Sequence, residues 1–172
     1  MPKTKSGFTI VELLIVIVVI GILAAITIVA YNGFQTRAKN TKTITAAATW
    51  VKAIKLYNAD TGAWPTTDSC FGTPTTYPGS GLCWNSASFY VNTAFTSALS
   101  PYMSGLPEPD TTSADSTLPD RRGAFYDYNS DTDVTMYVML IGVSSCPEIG
   151  GAKYQSTAAA SPGRWCNYNL RT

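Results

Sequence analysis

Nineteen consecutive residues, Leu13 to Tyr31, carry no charge and only one polar side chain, Thr27. Coiled as a helix that rises about 1.5 Å per residue, this run spans about 28 Å, close to the hydrocarbon thickness of a bilayer. Membrane insertion follows from that length and composition. Glu12 stands at the very start of the run, directly before fourteen uninterrupted apolar residues, Leu13 to Ile26. A carboxylate in or beside hydrocarbon costs several kcal/mol (roughly 3, by insertion scales), so a partner for Glu12 is the default expectation.

Three readings account for an apolar run near the start of a chain. A secretory signal peptide would use Lys3 and Lys5 as its charged start, but Ala30-Tyr31-Asn32-Gly33 is a poor small-x-small cleavage site. A plain single-pass anchor explains the length and leaves Glu12 without a purpose. A short leader removed ahead of the run, with the carboxylate retained, explains both.

The residues around Glu12 are specific. Lys5-Ser6-Gly7-Phe8-Thr9-Ile10-Val11-Glu12-Leu13-Leu14, continued by Ile20-Gly21-Ile22-Leu23-Ala24-Ala25-Ile26, resembles the class III signal of type IV pilins and of type II secretion pseudopilins. The resemblance implies cleavage after Gly7 by a prepilin peptidase and N-methylation of the new terminus, Phe8. It also implies pairing of Glu12 with the N-terminal amine of a neighbouring subunit. An amine and a carboxylate inside an apolar filament core are tolerable only as partners. Many pilins carry a helix-bending proline where this chain has Val29, so a kink or melted stretch of stem is not implied by sequence. Gly21, Asn32 and Gly33 are its weak points in helix propensity.

Beyond the apolar run, Tyr31, Phe34, Ala38, Ile44, Ala47, Val51, Ile54 and Tyr57 recur at three- and four-residue steps, opposite the basic residues. A helix from Phe8 to Asn58 would be about 75 Å long. That exceeds any bilayer, so its second half needs another surface. In the family resembled, that surface is a small antiparallel sheet; a separate soluble helix after Asn32-Gly33 is the alternative. Gly62 offers a C-terminal cap and Pro65 prevents continuation. Tyr57 to Thr67, with its Thr-Gly-Ala-Trp-Pro-Thr-Thr core, is similar to the end of the long helix in pseudopilins and related pilins. Leu99-Ser100-Pro101-Tyr102 through Leu106-Pro107-Glu108-Pro109 is a weaker echo.

The expected fold is therefore α+β and pilin-like: a long N-terminal helix on a small antiparallel β-sheet with disulfide-closed loops. Residues 1–7 form the leader and 8–31 the transmembrane and polymerisation half of the helix. Residues 32–60 form its amphipathic half, and 61–172 the globular head. Within the head, Ala124 to Tyr128 and Val134 to Val143 are rich in aromatic and β-branched residues. They flank turn chemistry at Asn129 to Asp133, which predicts a β-hairpin. Phe89 to Leu99 suits a short helix, and Pro65 to Asn85 an irregular loop. Pro107 to Gly123 suits a surface connection, and Cys146 to Cys166 a small-residue loop. Trp165 and Tyr168 suit a last edge strand or a packing position on the head. Trp64, Trp84 and Trp165 are expected as scarce core rather than adhesive contacts.

Cys70, Cys83, Cys146 and Cys166 are even in number in a chain with a membrane-targeting start, which favours two disulfides and an extracytoplasmic head. Of three connectivities, Cys70–Cys83 and Cys146–Cys166 is preferred because each closes one loop-rich segment. Zinc is the alternative, disfavoured because no Cys-x-x-Cys pair exists. Asp127, Asn129, Asp131 and Asp133 alternate like the start of a calcium loop. Thr132 and Val138 replace the glycine and bidentate acid expected sixth and twelfth, so a hairpin turn explains the same residues. No cofactor is implied.

Charge excludes further classes. Charged residues make up 13% of the chain and the net charge is +1, unlike a strongly basic nucleic-acid binder or a charged disordered tail. Arg37, Lys39, Lys42, Lys52 and Lys55 precede Asp60, whereas nine acids face five bases after Thr61. A basic stem and an acidic head attract between subunits of a polymer, or are simply two solvated surfaces. The chain has no His, and with its cysteines paired no nucleophile–base–orienter set is recognisable, so an enzyme is not expected.

The resemblance implies a structural subunit of a type IV pilus or related filament. The implied partners are a prepilin peptidase, an assembly platform with its ATPase, the membrane, and copies of the chain. Nothing in the sequence points to nucleic acid. The head would lie outside the cytoplasmic membrane before assembly and on a cell-surface filament afterwards. A positive-inside count, with Arg37, Lys39 and Lys42 following the span, points the other way. The alternatives are a pseudopilin of a type II secretion-like system and a membrane-tethered binding module that never polymerises.

Overall fold

The computed structural model describes residues 7–77, 81–84, 89–112, 121–159 and 163–171. Helix α1 runs Ile10–Thr61. The chain divides into two compact units, one ending at Arg37 and one running from Ala38 to Thr172. In the first unit the helix is bare, with its large apolar side chains exposed from 47% at Val19 to 85% at Ile10. It is the one helix among the described residues that is long and apolar enough to cross a membrane.

In the second unit α1 buries one face. Ala47, Trp50, Val51 and Ile54 are fully buried at the three- and four-residue spacing of a helical stripe. Trp50 is absent from the apolar series read in the sequence, yet it anchors the core. Its ring stacks on Phe71 at 5.1 Å and on Phe95 at 5.8 Å, and its indole N–H donates to the Pro107 carbonyl at 2.8 Å. That bond removes the cost of burying the indole's polar tip. The helix stops where Gly62 takes φ +73°, a left-handed turn open to glycine, with its N–H donating to Asn58 O.

The other layer is a five-stranded antiparallel sheet. Its strands are β1 (Ser69–Cys70), β2 (Ala124–Ser130), β3 (Asp133–Ile141), β4 (Lys153–Ala159) and β5 (Gly163–Asn169), in the order β1-β2-β3-β5-β4. The alternation of β3 sorts its side chains. Val134, Met136, Val138 and Leu140 join the core that contains Trp50, while Met139 joins Phe125 and Trp165 in a second cluster with Cys70, Cys83 and Tyr77. Helix α2 (Thr93–Leu99) follows the Asn92 cap, whose Oδ1 accepts from the N–H groups of Ala94 and Phe95.

The β-hairpin forms across Ala124–Ser130 and Asp133–Ile141. Three expectations need correction. The Cys146 to Cys166 segment is not a plain loop, because it holds β4 and an isolated bridge between Ile149 and Ala152. Trp165 and Tyr168 pack into the head as one of the two expectations had it, but their strand, β5, though last in the chain, is interior between β3 and β4 and not an edge. The Phe89 to Leu99 helix is limited to Thr93–Leu99 because Asn92 caps it there. Among the described residues of the expected 65–85 loop, Ser69–Cys70 form β1. Trp165 is 2% exposed, and Trp64 and Trp84 are half-buried against the core clusters.

Two disulfides bind the head, Cys70 to Cys83 with Cα atoms 5.8 Å apart and Cys146 to Cys166 at 5.7 Å. Helix and sheet are further tied by Asn40. Its Nδ2 donates to Ile141 O at 2.8 Å, and its Oδ1 accepts from Ile141 N–H at 3.0 Å, so one amide completes the end of β3. Gly150, at φ +57°, crosses so near α1 that a Cβ there would lie 3.2 Å from the Ala48 backbone. Asn40→Ala leaves both Ile141 backbone groups without these partners and is expected to destabilise the head by roughly 1–3 kcal/mol. Urea unfolding of the solubilised chain measures this.

Candidate assembly and processing site

Gly7, Phe8 and Thr9 precede α1 and are exposed, and Phe8 is 80% exposed. The helix opens with a reciprocal cap. Thr9 Oγ1 accepts from Glu12 N–H at 3.2 Å, while Glu12 Oε2 accepts from Thr9 N–H at 2.8 Å and from the Thr9 hydroxyl at 2.7 Å. This is the capping box, written in sequence as Thr-x-x-Glu, which satisfies orphan donors at a helix N-terminus. The sequence reading assigned Glu12 a partner in another subunit and missed this local one, although its spacing was legible. A carboxylate also sits favourably near the positive end of the helix dipole.

The site therefore consists of an accessible Gly7–Phe8 peptide bond, a carboxylate one helical turn beyond it, and a bare apolar helix behind. The carboxylate is held by short bonds within one turn. Both bonds that Thr9 donates to the Glu12 carboxylate are charge-assisted. No nucleophile–base pair accompanies these groups.

Residues 2–28 match the family described as the prokaryotic N-terminal methylation motif. The chain carries this motif at its N-terminus and is similar to type IV pilins and to a type II secretion core protein. Over 98 residues the chain is 34% identical to the fimbrial protein EcpC of Eikenella corrodens, covering 57% of this chain and 58% of that one. It is 36% identical over 72 residues to the type IV major pilin protein PilE1 of Neisseria gonorrhoeae, covering 42% of this chain and 44% of that one. It is 32% identical over 66 residues to the type II secretion system core protein G of Vibrio cholerae, covering 38% and 45%. The chain thus spans about half the length of the relatives it matches. No solved structure matches it.

The calcium candidate lies on the hairpin. Asp127 and Asn129 belong to β2, Asp133 opens β3, and Asp131 accepts from the Tyr128 hydroxyl at 3.0 Å within the turn. Among the described residues no group of three or more His, Cys, Asp or Glu side chains is placed to hold a metal ion. The hairpin accounts for the alternation. Asp127 is half-buried, and burial, then the neighbouring charges of Asp68 and Asp133, push its carboxyl pKa up. Raised in the fold, that pKa makes the ionised carboxylate a destabilising group. Its penalty is absent below the ordinary carboxylate value, about 3.9, and grows as pH rises through the folded value. Asp127→Asn is expected to raise the melting temperature at pH 7, with the gain vanishing below about pH 4. Calorimetric scans across pH check the sign.

Proposed function

We propose that the chain is a structural subunit of a type IV pilus, cut between Gly7 and Phe8 by a prepilin peptidase, methylated at Phe8, and polymerised through its N-terminal helix. The observation that carries this reading is the exposed apolar length of α1 headed by Glu12. Side chains from Ile10 to Phe34 expose far more contiguous apolar surface than a soluble protein tolerates. A bilayer covers that surface before assembly, and copies of the same helix cover it afterwards. Residues 8–31 serve as the membrane and filament segment, 32–60 join it to the head, and 61–172 present the outer surface.

In this account Glu12 sets register. Its carboxylate, held by Thr9 until assembly, accepts the amine of Phe8 from a neighbouring subunit, and the pair enters the filament core as an internally neutralised unit. An assembly platform and its ATPase supply the extraction from the membrane. The head lies outside the cytoplasmic membrane and then on the cell surface, where both disulfides suit an oxidising setting.

The similarity to a type II secretion core protein supports a second reading, a pseudopilin of a secretion-like system. Both readings differ from a tethered module that uses the helix only as an anchor. Glu12→Ala separates them from it. It is expected to leave membrane insertion and cleavage intact while reducing the sheared filament fraction at least about tenfold, a loss of about 1.4 kcal/mol per subunit contact. Glu12→Asp is expected to restore part of it. A filament yield unchanged in Glu12→Ala contradicts assembly through this carboxylate.

A further inference from the structure

The uncharged run ends at Tyr31, but the exposed aromatic surface of α1 does not. Tyr31 is 61% exposed, and Phe34, three residues further along the helix, is 69% exposed. Arg37, also exposed, stands three residues beyond Phe34. At about 1.5 Å per residue, the three positions occupy about 9 Å of helix axis. The polar zone on each side of a bilayer is about 5–8 Å deep. With Leu13 to Tyr31 filling the hydrocarbon, Phe34 and Arg37 therefore stand at headgroup depth.

Helix geometry gathers these side chains. Each three-residue step turns back by about 60°, so Tyr31, Phe34 and Arg37 follow one another around a third of the circumference. The Cα–Cβ bond of Arg37 leans toward the helix N-terminus, which is toward Phe34 and the bilayer. Gln35 Nε2 donates to the Tyr31 hydroxyl at 2.6 Å, and the hydroxyl keeps its own proton for a further acceptor. Rings at the boundary, one of them with a polar tip, followed by a cation, are the chemistry of a membrane–water interface. An acidic protein surface would give Phe34 no reason to be exposed beside Arg37.

Charge fixes the sign of that interface. No Asp or Glu occurs between Glu12 and Asp60, whereas Arg37, Lys39 and Lys42 follow the span. With the head outside the membrane, these bases stand on the side where a positive-inside count finds few. They oppose that orientation, and an anionic surface at the same level accounts for them.

We propose that Tyr31, Phe34 and Arg37 form a docking strip for the headgroups of anionic phospholipids. The Arg37 guanidinium pairs with the phosphodiester through charge-assisted hydrogen bonds, and the Tyr31 hydroxyl donates to it. The rings of Tyr31 and Phe34 lie at the acyl boundary. The strip fixes the depth of the subunit in the bilayer, and leaving the bilayer for a filament breaks its contacts. This assignment rests on the proposed reading of residues 8–31 as a membrane segment with the head outside.

The test places the full chain in vesicles containing spin-labelled phosphatidylglycerol or phosphatidylcholine, which share the phosphodiester and differ in net charge. The fraction of label immobilised at the protein is expected to be larger for phosphatidylglycerol, and the preference to shrink in high salt. Arg37→Gln is expected to lower the preference at least about twofold, and Arg37→Lys to retain most of it. Lys3 and Lys5, on the other side of the span, are common to every variant and cancel in that comparison. Lys52→Gln, at an exposed position of the second unit, is expected to match the parent. Near-ultraviolet circular dichroism identifies any variant that fails to fold, and the salt dependence of the parent keeps the test decisive if Arg37→Gln does. A chain that resists a carbonate wash yet shows no preference, or the full preference in folded Arg37→Gln, overturns the headgroup site and leaves the membrane segment standing. A chain that the wash removes overturns both. Carbodiimide cross-links between copies that Arg37→Gln abolishes, without any lipid preference, overturn the site in favour of the acidic head of a second copy.

Discussion

The head depends on one face of α1 meeting the inner face of β3. Ala47 presents one small contact position beside the larger Trp50, Val51 and Ile54, and Val134, Met136, Val138 and Leu140 answer from the sheet at a two-residue period. Burying a tryptophan there contributes on the order of 3–5 kcal/mol, as judged by the usual cost of truncating one, which rivals the net stability of a small domain. Everything peripheral is arranged around that contact. Phe71, after β1, and Phe95, on α2, stack on Trp50, and the Pro107 carbonyl takes its N–H. Cys70 and Cys83 pack on the outer face of the sheet, where Phe125, Met139 and Trp165 form the second cluster, while Cys166 joins the core on the helix side.

The same helix has the opposite character before Arg37. There the apolar residues surround the axis rather than forming a stripe, and a helix hydrophobic all round is built for lipid or for other helices. One element therefore carries two solvation rules along its sequence. The change occurs where Arg37, Lys39 and Lys42 bring charge to the helix and its later positions begin to alternate between core and water. Within the apolar stretch polar backbone demand is met by the helix itself, and the exposed end of that ladder is closed by Thr9 and Glu12.

Much of this was legible from particular residues. The helix stop at Gly62 and the hairpin around Asn129 to Asp133 followed from turn chemistry and periodicity, and the helix-on-sheet head followed from the family resemblance. Strand β4 did not, for a physical reason. Lys-Tyr-Gln-Ser-Thr-Ala-Ala has no apolar alternation because every side chain is exposed, and the strand exists through its ladder to β5. Trp165 and Tyr168 were read as terminal because β4, which precedes β5 in sequence and outflanks it in space, carries no hydrophobic signal. Trp50 escaped the helical stripe because the apolar series counted past it at Ala47 and Val51, although i, i+3, i+4 and i+7 from Ala47 include it. At the N-terminus, Glu12 was conspicuous for its charge among apolar residues, and its cap with Thr9 was hidden by attention to that charge.

The central claim is that the chain loses residues up to Gly7 and enters a filament. N-terminal sequencing with intact mass, on material sheared from native cells, tests it most directly. The account predicts a chain beginning at Phe8, heavier than the unmodified sequence by one methyl group, in the high-molecular-weight sheared fraction. A chain that still begins at Met1, or begins near Asn32, and remains monomeric in the membrane or the medium would contradict it.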